Sequence, residues 1–236
     1  MRRFLTLMVM TVFAVFCWAG NSSQSNQNNS NIDKELSNAT QIIQQMTGPN
    51  ATAGVPESVL QNAKCIAVVP NMIQAGFIVG GRHGDGVATC RTSGNRWSSP
   101  APFKVTGGSF GAQIGGQSID LIMMVMNDQG MQALRSGHFK VGAGVSAAAG
   151  PVGRQAAASG GWKAAILTYS RTKGAYAGAT VKGVELQQDD SATKALYGRD
   201  VNFSKVLNGQ VQMPNNAEAH DFVMTIEKAQ QTAQSR

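Results

Sequence analysis

The chain has 236 residues, of which 20 are lysine or arginine and 13 are aspartate or glutamate, so its formal net charge is +7. It has three cysteines, and its only histidines are His83, His138 and His220, with no H-E-x-x-H or Cys-x-x-Cys spacing. These features exclude the familiar zinc sites, and we expect neither a metal nor any other cofactor.

Residues 1–19 have the pattern of a secretory signal peptide. Two arginines at 2–3 precede an apolar stretch at 4–16, and residues 17–19 place small side chains at the positions that a signal peptidase reads. We therefore expect a periplasmic or secreted protein that is peripheral to a membrane. A retained transmembrane anchor, acylation of Cys17 as in lipoproteins and twin-arginine export are the alternatives that the sequence leaves open.

The segment after the leader changes character at Ile32. Residues 20–31 are almost entirely asparagine, serine and glutamine, which predicts a disordered tether because they have no apolar area to bury. Apolar residues then recur at helical spacing, which predicts a helix that packs on the rest of the domain. A second short helix is predicted from Glu57 to Lys64, and residues 32–236 suffice for one domain with a core. The helical stripe consists of Ile32, Leu36, Ala39, Ile43 and Met46.

The centre of the chain predicts a curved sheet. Of the 27 glycines, 22 lie between Gly76 and Gly183, and glycine weakens a strand unless it marks a bulge, a sharp bend or a close approach. The fold class is therefore α+β, with a strongly curved, glycine-rich antiparallel or barrel-like sheet between N-terminal helices and two C-terminal helices at 191–197 and 214–233. The predicted strands are 65–69, 76–81, 86–91, 109–114, 119–126, 139–147, 162–170 and 174–182.

Five segments carry a resemblance to a known family. They are CIAVVPNMIQAGFIVGGRHGDGVATCR at 65–91, WSSPAPF at 97–103, GGSFGAQIGG at 107–116, AAGPVGR at 148–154 and YSRTKGAYAG at 169–178. The chain resembles the SYLF family of lipid-binding and actin-binding domains over residues 32–230. The resemblance implies a lipid-binding scaffold rather than an enzyme.

The partners follow from this resemblance and from the expected export. Eukaryotic SYLF relatives recognise phosphoinositides, and some bind or bundle actin. In a bacterial cell envelope the anionic partners at hand are phospholipids such as phosphatidylglycerol and cardiolipin, so neither actin nor nucleic acid is expected. The sequence contains no SH3 or FYVE module, and the trafficking roles of those relatives are not carried over.

Positive charge is concentrated in the central region. Eleven lysines and arginines between Arg82 and Lys182 stand against three aspartates, a net of +8, and such a field attracts anionic lipid surfaces. The alternative is an ordinary solvated basic surface. The candidate lipid-binding residues are loop cations: Arg82 and His83 in GRHGDG, Arg154 after GPVG, and Arg171 and Lys173 in SRTKG.

Two patterns imitate catalytic or phosphate-binding motifs. Residues 107–111 fit the G-x-S-x-G nucleophile elbow, and Asp120 and His138 follow Ser109 in α/β-hydrolase order. An elbow needs a strand, a sharp turn and a helix, whereas AQIGGQSID after Ser109 predicts more sheet. The run at 81–86 lacks the Gly-Lys-Ser/Thr ending of a phosphate loop, and it predicts a hairpin turn.

The remaining thiols and methionines have two interpretations each. Without Cys17, Cys65 and Cys90 are the only cysteines, and a disulfide between them is open because the sequence does not establish that their Cα atoms lie within ~7 Å. The methionines in IDLIMMVM at 119–126 predict a buried strand, with a lipid-contacting lining as the alternative.

Three hypotheses about function therefore stand. The first is a lipid-binding envelope protein, the second a structural or partner-binding envelope domain, and the third a serine hydrolase that uses Ser109.

Overall fold

The structure is a computed structural model that describes residues 20–47, 54–94, 96–143, 145–152, 163–172, 175–178 and 183–234. Within these ranges, the description of 20–26, 77–79, 109–115, 172 and 175–178 extends to the backbone only. The predicted signal peptide, with Cys17, lies outside the described residues.

The described residues form six helices and seven strands. The helices are α1 (Gly20–Thr47), α2 (Glu57–Asn62), α3 (Asp128–Arg135), α4 (Asp190–Tyr197), α5 (Phe203–Leu207) and α6 (Ala217–Gln234). The strands are β1 (Cys65–Cys90), β2 (Ala101–Val125), β3 (His138–Lys140), β4 (Ala147–Ala149), β5 (Ile166–Thr172), β6 (Ala175–Gly178) and β7 (Val184–Gln188).

All seven strands belong to one sheet with β2 at its centre. Strand β1 pairs with β2 along one edge, while β5 and β7 pair with opposite halves of its other edge. Strand β3 pairs with β7, and β4 and β6 pair with β5; of these contacts only β4 with β5 is parallel. The predicted α+β class, with a curved and mainly antiparallel sheet between N- and C-terminal helices, is confirmed.

The sheet is buried on both faces where β1 begins and β2 ends. Alternate residues of these strands pack under α1, α2, α4 and α6, and the others face α3 and α5. Burial on two faces explains the continuous apolar runs CIAVV and LIMMVM, because neither face tolerates polar residues. The predicted buried strand is confirmed: Met123, Met124 and Met126 are all buried.

Strand β1 bends back until its two ends touch. Cys65 and Cys90 are joined by a disulfide, with Cα atoms 4.0 Å apart and a sequence separation of 25. The main chain closes the same contact, because Arg91 N donates to Lys64 O at 2.8 Å. Since β2 stays paired with β1 throughout, the two strands form a ribbon that folds over as a unit.

Two glycines permit this fold-back. A Cβ atom added at Gly84 would lie 2.7 Å from Val69 Cγ1, and one added at Gly86 would lie 2.6 Å from Val68 O. The second half of β1 therefore lies against its first half at a distance that only glycine allows. The predicted hairpin turn at 81–86 is wrong: this run is part of a continuous strand, in which Gly84 and Gly86 serve close packing.

The register of the β1–β2 pairing shifts at two places. Register shifts separate Val69 from Met72 and Gly76 from Ile78. At the first shift, Pro70 supplies no ladder hydrogen bond and Asn71 has a left-handed φ of 50°. Such bulges bend a strand and increase its twist, so they account for the curvature that the glycine content predicts.

Helix α1 begins earlier than the sequence predicts. It starts at Gly20, so residues 20–31 are helical here rather than a disordered tether. Burial begins at Ile32, and the predicted apolar stripe of this helix is buried. The packed part supplies the nucleus of the helix, and residues 20–31 contain no proline to stop its hydrogen bonds from continuing towards the N-terminus.

The bounds of several other helices and strands also differ from those predicted. Predicted strands 65–69, 76–81 and 86–91 merge into β1, while 139–147 divides into β3 and β4. Helices α3 and α5 and strand β7 were not predicted, because each is too short for a clear period. Helix α4 matches its prediction, and α6 is capped by Asn216, whose Oδ1 accepts from Ala219 N.

In the described part of the chain, none of the helices combines the length and apolarity needed to cross a membrane.

The close approach at Gly86 predicts a sharp difference between two glycines of one strand. Gly86→Ala should lower the free energy of unfolding by about 1–3 kcal/mol, because the methyl group overlaps Val68 O and the Phe103 ring. Gly81→Ala is the matched control, since a Cβ there meets nothing within 4 Å, and it should change stability by less than about 0.5 kcal/mol. Urea unfolding measures both, and equal losses would contradict the packing argument.

The disulfide predicts how the oxidised and reduced proteins differ. Neither Cys65 nor Cys90 should react with a thiol reagent in the denatured, unreduced protein. Reduction should then lower the free energy of unfolding by about 3 kcal/mol, because the closed loop of 25 residues gains freedom in the unfolded chain. Peptide mapping of the labelled protein shows which cysteines have reacted, and urea unfolding before and after reduction measures the change in free energy. Labelling of both residues before reduction would show that the bond does not form.

Candidate functional site

The middle of the β1–β2 ribbon is exposed on both strands. We call residues 71–83 of β1 and 106–118 of β2 the ribbon arm; its two strands remain paired, for example at Gly80 with Ser109. Towards the disulfide the ribbon enters the core, whereas along the arm many residues face solvent. The described exposed residues are Asn71, Ile73, Ala75, Gly81, His83, Thr106, Gly108, Gly116, Gln117 and Ser118.

The composition of the ribbon arm differs from that of an ordinary surface. Neither of the two segments that form the arm contains an acidic residue, and Arg82 and His83 are its only basic ones. Ile73 is 57% exposed, one of the few large apolar side chains in the described residues that the fold leaves uncovered. An arm that exposes an isoleucine and carries basic but no acidic residues is a surface suited to an anionic, partly apolar partner.

Two predicted contact residues, Arg82 and His83, lie on opposite faces of this arm. They were expected in a loop, but both are in strand β1, where successive side chains alternate between faces. His83 is exposed, whereas Arg82 is half-buried and its Nε donates to Gln74 Oε1 at 3.1 Å. This contact spans the bend of β1 and holds the guanidinium on the inner side of the arm.

Arg171 lies at the base of the arm in an ion pair. Its Nε is 3.5 Å from Asp120 Oδ2, and Asp120 Oδ1 accepts from Asn71 N at 3.0 Å. Asp120 thus fixes the first bulge of β1 and balances the charge of Arg171. The other two predicted residues, Arg154 and Lys173, lie outside the described residues.

Much of the central positive charge is used inside the protein. Arg91 donates from Nε to Ala63 O and from Nη2 to Gln61 O, and Arg135 Nη2 donates to Arg91 O. Burial lowers the pKa of both arginines. Lys104 pairs with buried Asp189 at 3.1 Å. The net charge of the sequence therefore overstates the positive field that reaches solvent, while Lys140 and Lys163 are exposed.

The segment at 107–111 that resembles a nucleophile elbow does not have the backbone of one. Ser109 lies within β2, which continues to Val125 without the turn into a helix that a nucleophile elbow requires. Asp120 pairs with Arg171, and His138 Nε2 is 2.5 Å from Glu185 Oε1. Across the described residues, no three histidine, cysteine or acidic side chains converge as metal ligands.

A cavity of about 320 Å³ lies between α6 and the connection from β1 to β2. The Trp97 ring at its floor is held by a hydrogen bond from Nε1 to Gln230 Oε1 at 2.9 Å, and Gln230 Nε2 donates to Leu60 O. Met224 is 57% exposed at its edge. Sequence reasoning missed both this cavity and Ile73, because single residues in exposed positions leave no periodic signal. Other lining residues are Arg96, Met213, His220, Val223 and Glu227.

Comparison with known proteins gives three informative relatives. The chain is 34% identical over 198 residues to SH3 domain-containing protein PJ696.02 of Schizosaccharomyces pombe, covering 80% of this chain and 46% of that protein. It is 29% identical over 196 residues to protein YSC84 of Saccharomyces cerevisiae, covering 79% and 42%. It is 28% identical over 196 residues to the human SH3 domain-containing YSC84-like protein 1, covering 80% and 57%. The chain thus spans less than two thirds of the length of each.

A family model locates the shared part. The model described as "Ysc84: Las17-binding protein actin regulator" matches residues 106–229, from the ribbon arm in β2 to helix α6. This match covers more than half of the chain and confirms the SYLF resemblance of its motifs. The chain belongs to the Ysc84 family of SYLF domains.

Proposed function

We propose that this chain is a non-catalytic module that binds anionic phospholipid surfaces through its ribbon arm. The observation that carries the proposal is the exposed ribbon arm, which has no acidic residue and carries Ile73, Arg82 and His83. A bilayer offers the matching chemistry, with anionic headgroups above an apolar layer. Arg171 at the base of the arm, and Arg154 and Lys173 in the family-like segments, complete the proposed set of contacts.

The energies involved predict weak, reversible binding by a single arm. Covering the exposed part of one isoleucine contributes about 1 kcal/mol, and each cation near an anionic bilayer contributes about 1 kcal/mol. Arg82 already donates to Gln74, and Arg171 is already paired with Asp120. Each must share or exchange that contact when it binds a headgroup. Stable attachment to a membrane generally needs more than one such signal, so the arm alone is expected to bind reversibly.

The compartment is part of the proposal. With an N-terminal leader that is removed, the domain would meet the phosphatidylglycerol and cardiolipin of a bacterial envelope. The family model describes no enzyme, and the unbroken β2 strand at Ser109 disfavours the hydrolase alternative.

A protein partner is the second candidate function, and the cavity beside α6 supports it. The family description names Las17 binding and actin regulation, and both are protein contacts. The cavity has an apolar floor at Trp97 and Val223, a charged rim at Arg96 and Glu227, and the exposed Met224. Such a mixture suits a peptide or protein segment. Export would separate the chain from actin, so actin itself is the weaker form of this candidate.

Two equally exposed apolar residues separate the candidates. Ile73→Ser in the arm should weaken binding to phosphatidylglycerol vesicles about three- to tenfold, because it removes roughly 1 kcal/mol of apolar contact. Met224→Ser is the matched control beside α6, since both side chains are 57% exposed, and it should leave vesicle binding unchanged. Flotation with excess vesicles measures both. Loss of binding in Met224→Ser alone would transfer the site to α6.

Substitution of charged residues tests the same proposal independently. Arg82→Gln with His83→Gln should weaken binding to phosphatidylglycerol or cardiolipin vesicles, whereas Lys140→Gln with Lys163→Gln, which alters exposed cations elsewhere, should have a smaller effect. The difference should shrink as salt screens the charges. Equal binding of wild type to neutral and anionic vesicles would reject the electrostatic mechanism. Absence of vesicle binding together with co-sedimentation with filamentous actin would favour the second candidate.

A further inference from the structure

Helix α1 carries a carboxyl group on the side that packs against the domain. Glu35 lies next to fully buried Leu36 and one turn before Ala39, and the helix contacts β1, α4 and α6. One carboxyl oxygen of Glu35, Oε1, has no accessible surface and accepts no hydrogen bond. A buried polar atom without a partner costs stability, and the cost is far larger for an ionised group.

The charged groups that face Glu35 come from three other elements. Asp85 on β1 and Asp189, immediately before α4, are carboxylates, and Lys104 on β2 is the one cation among the groups that act on it. Lys104 is already paired with Asp189. Asn216, which caps α6, donates from Nδ2 to Asp33 Oδ1 on α1 at 2.7 Å. Glu35 therefore faces two acids and a lysine whose charge is already shared.

Asp189 keeps its negative charge because the fold holds it. Burial opposes its ionisation, but hydrogen bonds from Ser191 Oγ and Ala192 N, together with Lys104, outweigh burial and lower its pKa. These contacts also cap helix α4. The protein therefore cannot relieve Glu35 by neutralising Asp189 without weakening the cap.

We propose that α1 is held against the domain by a proton-dependent latch at Glu35, closed when this carboxyl is protonated and loosened when it is ionised. Loosening α1 uncovers the apolar residues of its buried stripe and the sheet surface beneath them. The latch is independent of the lipid-binding proposal, since it concerns the docking of α1 and not the ribbon arm.

The direction of the pH dependence follows from linkage. The pKa of Glu35 is raised from an ordinary 4.5 to about 8, mainly by burial and further by Asp85 and Asp189, against a smaller lowering by Lys104. A loosened α1 returns this carboxyl to water and to its ordinary pKa. Docking is therefore strongest below the ordinary value, weakens by about tenfold per pH unit as the pH rises towards 8, and stays at its weaker level above.

Hydrogen exchange of the full chain tests the latch. After correction for intrinsic exchange rates, protection of α1 amides at 36–46 should fall at least about tenfold between pH 6 and pH 8. Protection of the β2 amides at 121–125 should fall much less. Glu35→Gln keeps the shape of the side chain but cannot ionise, so its α1 protection should stay constant over this range. Asp221→Asn, which alters an exposed carboxyl on α6, should behave as wild type.

Three results would overturn the latch. The first is constant α1 protection in wild type, and the second is an equal pH dependence in Glu35→Gln. The third is an equal loss in β2, which would indicate global rather than local opening. A readout without any variant is the carboxyl carbon of Glu35 in a ¹³C-labelled protein: it should titrate above pH 7, and titration in the ordinary carboxylate range would also refute the proposal.

Discussion

The fold depends on one long strand that is bent back on itself. The two halves of β1 approach so closely that Gly84 and Gly86 have no room for a Cβ, and Cys65 and Cys90 are bonded where its ends meet. Because β2 is paired with β1 throughout, bending one strand bends both. The ends of the ribbon then enter the core together, while its middle must remain outside.

This geometry explains why β1 and β2 each contain both buried and exposed segments. Near the disulfide the ribbon lies between two layers of helices, and both of its faces are apolar. In the arm the same backbone pairing continues without those layers. Hydrogen bonding between strands satisfies the backbone there, so many of the side chains are released from packing. The surface that the fold does not need for stability is therefore the one that is free to bind a partner.

The parts of this fold that the sequence predicts are those with a local cause. The stripe from Ile32 to Met46 and the runs CIAVV and LIMMVM are visible because burial recurs at a regular period, and α4 and α6 have polar caps. The segment GRHGDG was wrongly predicted to be a turn because glycine serves both in turns and where two backbones approach closely. The sequence alone does not distinguish these two roles. The difference lies in Val68 and Val69, which are distant in sequence from the glycines that they touch.

The charged residues show more clearly that contacts between distant segments are not visible in the sequence. The sequence counts eleven central cations, but it does not indicate that Arg91 and Arg135 bind backbone carbonyls or that Lys104 and Arg171 have carboxylate partners. Those contacts arise only when the ribbon closes and brings separated segments together.

The same closure brings Glu35 to Asp85 and Asp189, although a leucine at position 35 would suit the buried face of α1 and avoid an unpartnered oxygen. A residue that costs stability at a packed interface makes the docking of that interface responsive to conditions, because the cost varies with protonation. We therefore regard the N-terminal helix as the adjustable part of the domain, and the disulfide-closed ribbon as the part that stays fixed while α1 moves.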